Sequence, residues 1–118
     1  MTVDQLINAI SKWGFARNII QDATSKDQFV KLVSEVGELA DAIAKKDIEK
    51  IKDGIGDAIV VLVMIAEIEG VSLHECIELA YNEIKDRKGI LYKGTFVKST
   101  DPKYEDIVKL VQGGREAT

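Results

Sequence analysis

Ser25-Lys26-Asp27-Gln28-Phe29-Val30-Lys31-Leu32-Val33-Ser34-Glu35-Val36-Gly37-Glu38-Leu39-Ala40-Asp41-Ala42-Ile43 carries the clearest structural signal in the chain. Phe29, Leu32, Val33, Val36, Leu39, Ala40 and Ile43 recur at steps of three and four, the apolar stripe of an amphipathic helix from about Ser25 to Lys45. Ser25 with Gln28 forms a capping-box pattern at its start. There a hydroxyl accepts a hydrogen bond from an otherwise unpaired N–H, worth roughly 1 kcal/mol.

Downstream, Lys45-Lys46 is followed by Asp47, a cap for another helix. Its Ile48, Ile51, Ile55, Ile59 and Leu62 keep the same period, and it ends near Gly70. The short link makes these two helices antiparallel neighbours. Ser72-x-x-Glu75 opens a helix to about Lys88, with Leu73, Cys76, Ile77, Ala80 and Ile84 inward. Ile90-Leu91-Tyr92 and Thr95-Phe96-Val97 flank a Lys93-Gly94 turn and predict a small hairpin. Asp101-Pro102 predicts a short last helix to about Gln112, before Gly113-Gly114, with a loose tail beyond. Upstream, Thr2-x-x-Gln5 opens the first helix, which carries Trp13 and Arg17 one turn apart. The expected fold is therefore all-α: a four-helix-type bundle with a small C-terminal β-hairpin and a short terminal helix, one domain over residues 1–118.

Ala58 to Ala66 is apolar all round the wheel, more than one core-facing stripe requires. Two readings follow: the central helix of a monomeric bundle, or a helix shared between the core and an oligomer interface. The second is favoured, and a homo-oligomer, dimer or tetramer, is expected, since a chain of 118 residues gains by burying more surface against a copy of itself.

A net charge of -4, from 16 basic and 20 acidic residues, argues against a broad grip on nucleic acid. A single cysteine, Cys76, and a single histidine, His74, exclude an internal disulfide and argue against a zinc site. The start of the chain lacks a secretory pattern, and its longest apolar run is far short of the ~20 residues that span a bilayer. A cytoplasmic protein with no membrane partner is expected.

Four carboxylates stand out. Glu35 and Glu38 lie about 60° apart on the wheel, at the edge of and behind the apolar stripe. Asp53 and Asp57 lie about 40° apart, on the side of their helix away from Ile51, Ile55 and Ile59. Two antiparallel helices that each offer such a pair can surround a hard cation; Mg²⁺ prefers oxygen ligands and shares its octahedron with water and phosphate. Without a cation the four would repel. Glycines interrupt both pairs, Gly37 in the first and Gly54 with Gly56 in the second, although each costs about 1 kcal/mol in a helix. Either a close helix contact or a phosphate lying near the backbone explains them.

The run from Lys31 to Ile43, followed by Gly56-Asp57-Ala58-Ile59-Val60-Val61-Leu62, resembles the MazG-type nucleotide pyrophosphohydrolases, over roughly Trp13 to Lys88. That all-α superfamily is related to the dimeric dUTPases and phosphoribosyl-ATP pyrophosphatases. Its signature is Glu-x-x-Glu followed, after a gap, by Glu-x-x-Asp. Glu35, Glu38 and Asp57 match; Gly54 stands where the second motif has its glutamate, and Asp53 is the neighbouring substitute.

The resemblance implies Mg²⁺-dependent hydrolysis of (deoxy)nucleoside triphosphates to monophosphate and pyrophosphate, with Mn²⁺ as an alternative metal. Glu35, Glu38, Asp53 and Asp57 would be the metal ligands, and Glu35, Glu38 and Asp57 the catalytic set, with Glu38 a candidate base. It also implies phosphate binding near the end of the Ser72 helix, where Arg87 is the best match, with Lys85 and Lys88 as surface alternatives. Asn82 and Asp86 would share a face there, reaching base, sugar or metal, or solvent. Trp13 would stack on a base or pack in the core, and Arg17 accompanies it near the nucleotide. Lys31 would meet a phosphate or pair with Glu35. The alternative, through Gly54, is a catalytically weak or inactive nucleotide-binding protein of the same fold.

Overall fold

Local signals account for most of the element boundaries in the computed structural model, which describes residues 1–116. Six helices and two strands occur among them: α1 (Val3–Ala16), α2 (Ile19–Asp22), α3 (Ser25–Ala44), α4 (Ile48–Ile68), α5 (Leu73–Ile84), β1 (Gly89–Tyr92), β2 (Thr95–Lys98) and α6 (Tyr104–Glu116). Thr2 and Gln5 form the full reciprocal capping box of α1. Asp47 caps α4 by accepting from the Lys50 N–H at 3.2 Å, and Ser72 accepts from the Glu75 N–H at the same distance. Gly70, at φ +68°, closes the end of α4 while the Val71 N–H returns to the Ala66 carbonyl.

One cap shifts. Thr24, not Ser25, caps α3, accepting from the Asp27 N–H at 3.1 Å. The Ser25 hydroxyl instead donates to the Glu69 carboxylate and ties the start of α3 to the end of α4. That contact is possible because the two helices are antiparallel.

The chain forms two compact units, Met1–Glu78 and Leu79–Thr118, with the boundary inside α5. In the first, α1, α2 and α3 all pack on α4 or its immediate neighbours, and α3 against α4 is the most extensive contact. Val61, Val63, Met64 and Ala66 of α4 are buried there with Ala42 of α3. Fully burying side chains such as Val63 and Met64 stabilises the fold by about 1.5–3 kcal/mol each. The apolar run of α4 is thus covered on several sides within the chain, but Ile59 and Leu62 remain exposed.

Three sequence expectations need correction. The buried line on α3 contains Glu35 and Ala42, while Phe29, Val33, Val36 and Ile43 are exposed, because α4 covers only one flank of the apolar stripe. On α4 the corresponding buried line contains Gly54, Val61 and Met64, while Ile48, Ile55 and Ile59 face outward. The helix expected to reach Lys88 stops at Ile84, and of its anticipated inward residues only Leu73 is partly covered; Cys76, Ile77, Ala80 and Ile84 are exposed. The long-helix core within the chain is accordingly α1, α3 and α4, not a closed four-helix set.

In the second unit, β1 and β2 pair antiparallel with Tyr92 opposite Thr95 and Gly89 opposite Lys98. The two-residue turn is Lys93-Gly94, both at positive φ, as the twist of a tight hairpin requires. α6 packs on β1. Asp101 accepts from the Lys103 N–H at 2.8 Å, so Pro102 sits in a capped turn and the helix begins at Tyr104. It continues through Gly113 and Gly114, past the stop expected at Gln112; two glycines weaken a helix without blocking it. Of the expected loose tail, residues 117–118 lie outside the described residues. Among the described residues no helix is long and apolar enough to cross a membrane.

Candidate active site

The site is built on a close contact between α3 and α4. Gly54 faces Leu39: a Cβ at position 54 would stand 3.2 Å from Leu39 Cβ. Across this contact the Glu35 charge acts on Asp57, and Glu38 shares the wall of one groove with Asp53. The four carboxylates thus form two rungs across the hairpin. The structure assigns the glycines different circumstances, since an added Cβ at Gly37 or Gly56 would meet nothing within 4 Å. Helix contact accounts for Gly54 only.

Glu35 is 8% exposed, the one buried charged residue among those described. Its Oε1 accepts from Lys31 Nζ at 3.2 Å, whereas its buried Oε2 has no hydrogen-bond partner. An unpartnered buried carboxylate oxygen is costly unless something binds it. Asp57 is half-buried, and its carboxyl is pushed above the usual carboxylate range. Burial contributes most, then the charges of Asp53 and Glu35 and a hydrogen bond with Asp53; Lys31 opposes the shift. Asp53 therefore reaches Asp57, and it lines a groove of about 270 Å³ with Glu38, Asp41, Lys45 and Lys50.

Among the described residues, no three His, Cys, Asp or Glu side chains stand close enough together to cage a cation as placed. The donor set still suits Mg²⁺, which usually takes one or two carboxylates and completes its shell with water and phosphate oxygens. The orphaned Glu35 Oε2 beside Asp57 supplies such donors.

A second groove, about 500 Å³, brings Trp13, Arg17 and Lys31 together, with Asn18, Asp22, Asp27, Gln28 and the α4 residues Val60, Val61 and Met64. Trp13 is 41% exposed rather than a core residue, and the Arg17 guanidinium lies 4.7 Å from its ring centroid. A more apolar groove on the other side of Trp13 includes Leu6, Ile10, Val60 and Asp57. Asn18 and Asp22 were not legible as site residues: Asn18 precedes and Asp22 ends the four-residue α2, which has no periodicity of its own. Asp41 was legible in principle, three residues beyond Glu38 on the same helix.

Asn82, Lys85, Asp86, Arg87 and Lys88 belong to the second unit, and all are exposed. Because α5 ends at Ile84, Asn82 and Asp86 do not share a helical face, which corrects the sequence expectation. Arg87 pairs with Glu83 at 3.6 Å.

An antiparallel helical hairpin holding two rungs of carboxylates beside an aromatic and cationic groove defines a mostly helical protein with an acidic site. The chain belongs to the MazG nucleotide pyrophosphohydrolase domain family, whose model matches residues 24–90. This span contains all four carboxylates and Lys31, while Trp13 and Arg17 precede it. An uncharacterized 18.2 kDa protein from the rep-hol intergenic region of Haemophilus phage HP1 (strain HP1c1) is 45% identical over 65 residues, which cover 55% of this chain and 40% of that protein. The match thus spans less than half of that relative's length. No solved structure matches.

Proposed function

We propose that the protein hydrolyses (deoxy)nucleoside triphosphates to the monophosphate and pyrophosphate with Mg²⁺ as cofactor, Mn²⁺ being able to replace it. The observation that carries this reading is the buried Glu35 carboxylate, with one oxygen unpartnered, facing an Asp57 whose carboxyl is held above the usual range. Such a strained acidic pair is stabilised by a cation and is hard to explain as a solvated helix face. Magnesium, when bound, supplies positive charge that neutralises phosphate oxygens.

In this reading the cation would take one or two of its ligands from among Glu35, Asp57, Asp53 and Glu38 and the rest from water and phosphate. Glu38, on the exposed rung, accepts the proton of the water that attacks the α-phosphorus as the bond to pyrophosphate breaks. Trp13, with Arg17 over one face of its ring, would stack a base on the other, and Arg17 and Lys31 share its groove as phosphate partners. Arg87, Lys85 and Lys88 are further phosphate candidates, with Asn82 and Asp86 beside them in sequence.

We also propose a homo-oligomer. Relative to the α3–α4 contact, a helical wheel puts Glu38 and Asp53 on one flank of the hairpin, where α1 packs. Phe29, Val36 and Ile43 of α3 with Ile55 and Leu62 of α4 fall on the other. A contiguous exposed apolar face of this kind marks an interaction surface. The proposed compartment is the cytoplasm.

Gly54 favours a second reading, a nucleotide-binding or regulatory protein with little turnover, because the family's carboxylate is missing there. The test is to incubate the purified protein with each common dNTP and NTP, in Mg²⁺ and in EDTA, and to separate products by anion exchange. Monophosphate and pyrophosphate formed only with Mg²⁺, and lost in Glu35→Ala, are expected. Metal-dependent nucleotide binding with no product at high protein concentration would establish the second reading instead.

A further inference from the structure

Among the described residues, the only ion pair made by the four carboxylates is Lys31 to Glu35, at 3.2 Å. The two ends differ: the Lys31 side chain is 61% exposed and that of Glu35 11%. A largely exposed ammonium therefore rests on a largely buried carboxylate. Lysine four residues before glutamate is also the less favourable order for stabilising a helix. Lys45 and Asp41, on the same helix at the same spacing and distance, have the favourable order and are exposed at both ends.

We propose that Lys31 is the resident counter-cation of the carboxylate cluster, exchanged on ligand binding. In the metal-free protein its ammonium neutralises Glu35 and also pulls against the crowding of charge at Asp57. When a divalent cation occupies the cluster, Lys31 gives up Glu35 and turns along the groove it already lines with Trp13 and Arg17, where it meets the anionic phosphates. Its four-carbon stem permits that swing, and the ammonium, a point charge without fixed geometry, suits both partners. The exchange makes cation and nucleotide binding mutually dependent: Lys31 weakens the first alone and strengthens the second once the first has occurred. The inference rests on the cation-binding reading given under Proposed function.

The experiment compares the full-length protein with Lys31→Met and Lys52→Met, the latter removing an equal charge from an exposed pair with Glu49 outside both grooves. Mn²⁺ alone is titrated into each by calorimetry, and melting temperatures are recorded in EDTA and in saturating Mn²⁺. Then a triphosphate with a non-hydrolysable α,β-imido bridge is titrated at saturating Mn²⁺. Lys31→Met is expected to bind Mn²⁺ about two- to fivefold more tightly than the parent, a range set by partly exposed ion pairs. Its lower melting temperature in EDTA should recover in Mn²⁺, and it should bind the analogue more weakly; Lys52→Met should show neither opposed change. Unaltered Mn²⁺ affinity in Lys31→Met, or a melting deficit that persists in Mn²⁺, would make the pair a fixed structural bridge and overturn the exchange. Absence of Mn²⁺ binding to the parent itself would overturn the cation reading and the exchange with it.

Discussion

Gly54 and Leu39 form a tight contact of α3 with α4 at the site: a Cβ on Gly54 would lie 3.2 Å from both Leu39 Cβ and Cδ1 and 3.4 Å from its Cα. The residue that breaks the family's Glu-x-x-Asp pattern is therefore also the one that lets the two carboxylate rungs face each other closely. Restoring glutamate there should not simply restore a ligand. Gly54→Glu is expected to lower stability by roughly 1–3 kcal/mol, the usual cost of overpacking, whereas Gly37→Ala and Gly56→Ala, with open space at the Cβ, should raise it by about 0.5–1 kcal/mol each. Urea unfolding of the three variants in EDTA checks the contrast.

Asp57 links stability to pH. Because its folded-state pKa is raised from 3.8 by burial and by Asp53 and Glu35, the folded protein holds this proton more tightly than the unfolded chain does. Its ionisation therefore opposes folding at neutral pH, and that penalty is relieved as pH falls through the raised value towards 3.8. Asp57→Asn should melt higher than the parent in EDTA near neutrality, by about 2–4 °C. The gain should shrink on acidification, while triphosphate hydrolysis is lost. Thermal melts across pH, read beside product assays, test both halves.

His74 works in the opposite direction. Its Nδ1 lies 3.1 Å from Asp4 of α1 and its Nε2 2.9 Å from Glu78 of α5. The hydrogen bond and charge of Asp4, then the charge of Glu78, raise its pKa above 6.5. The stability this clasp supplies is complete below 6.5 and disappears as pH rises through the higher folded value. His74→Gln should thus melt below the parent at about pH 6 and match it at about pH 9.

Ile55 and Val36 test the open face of the hairpin, since both are about half exposed. Ile55→Glu and Val36→Glu place charge where a second copy would pack. Each is expected to shift the protein to a smaller species by light scattering, with helical circular dichroism unchanged. A parent already monomeric at high concentration would remove the oligomer from the model of function.

What the sequence determined by itself was local. The period of α3 and α4, the caps at Thr2, Asp47 and Ser72, the stop at Gly70 and the Lys93-Gly94 turn all follow from hydrogen bonds and backbone conformations spanning a few residues, and the acidic pairs were visible as spacing. Only the tertiary structure decided which flank of each helix is covered. A wheel specifies angles between side chains but not which neighbour will fill the space beside them. That choice depends on distant volumes: Leu39 against Gly54, and Met64 with Ile20 against Gly14. Through it Glu35 moved from the edge of a stripe to the buried line. Through it, too, Trp13, Arg17 and Lys31, separate in sequence, came to share one groove.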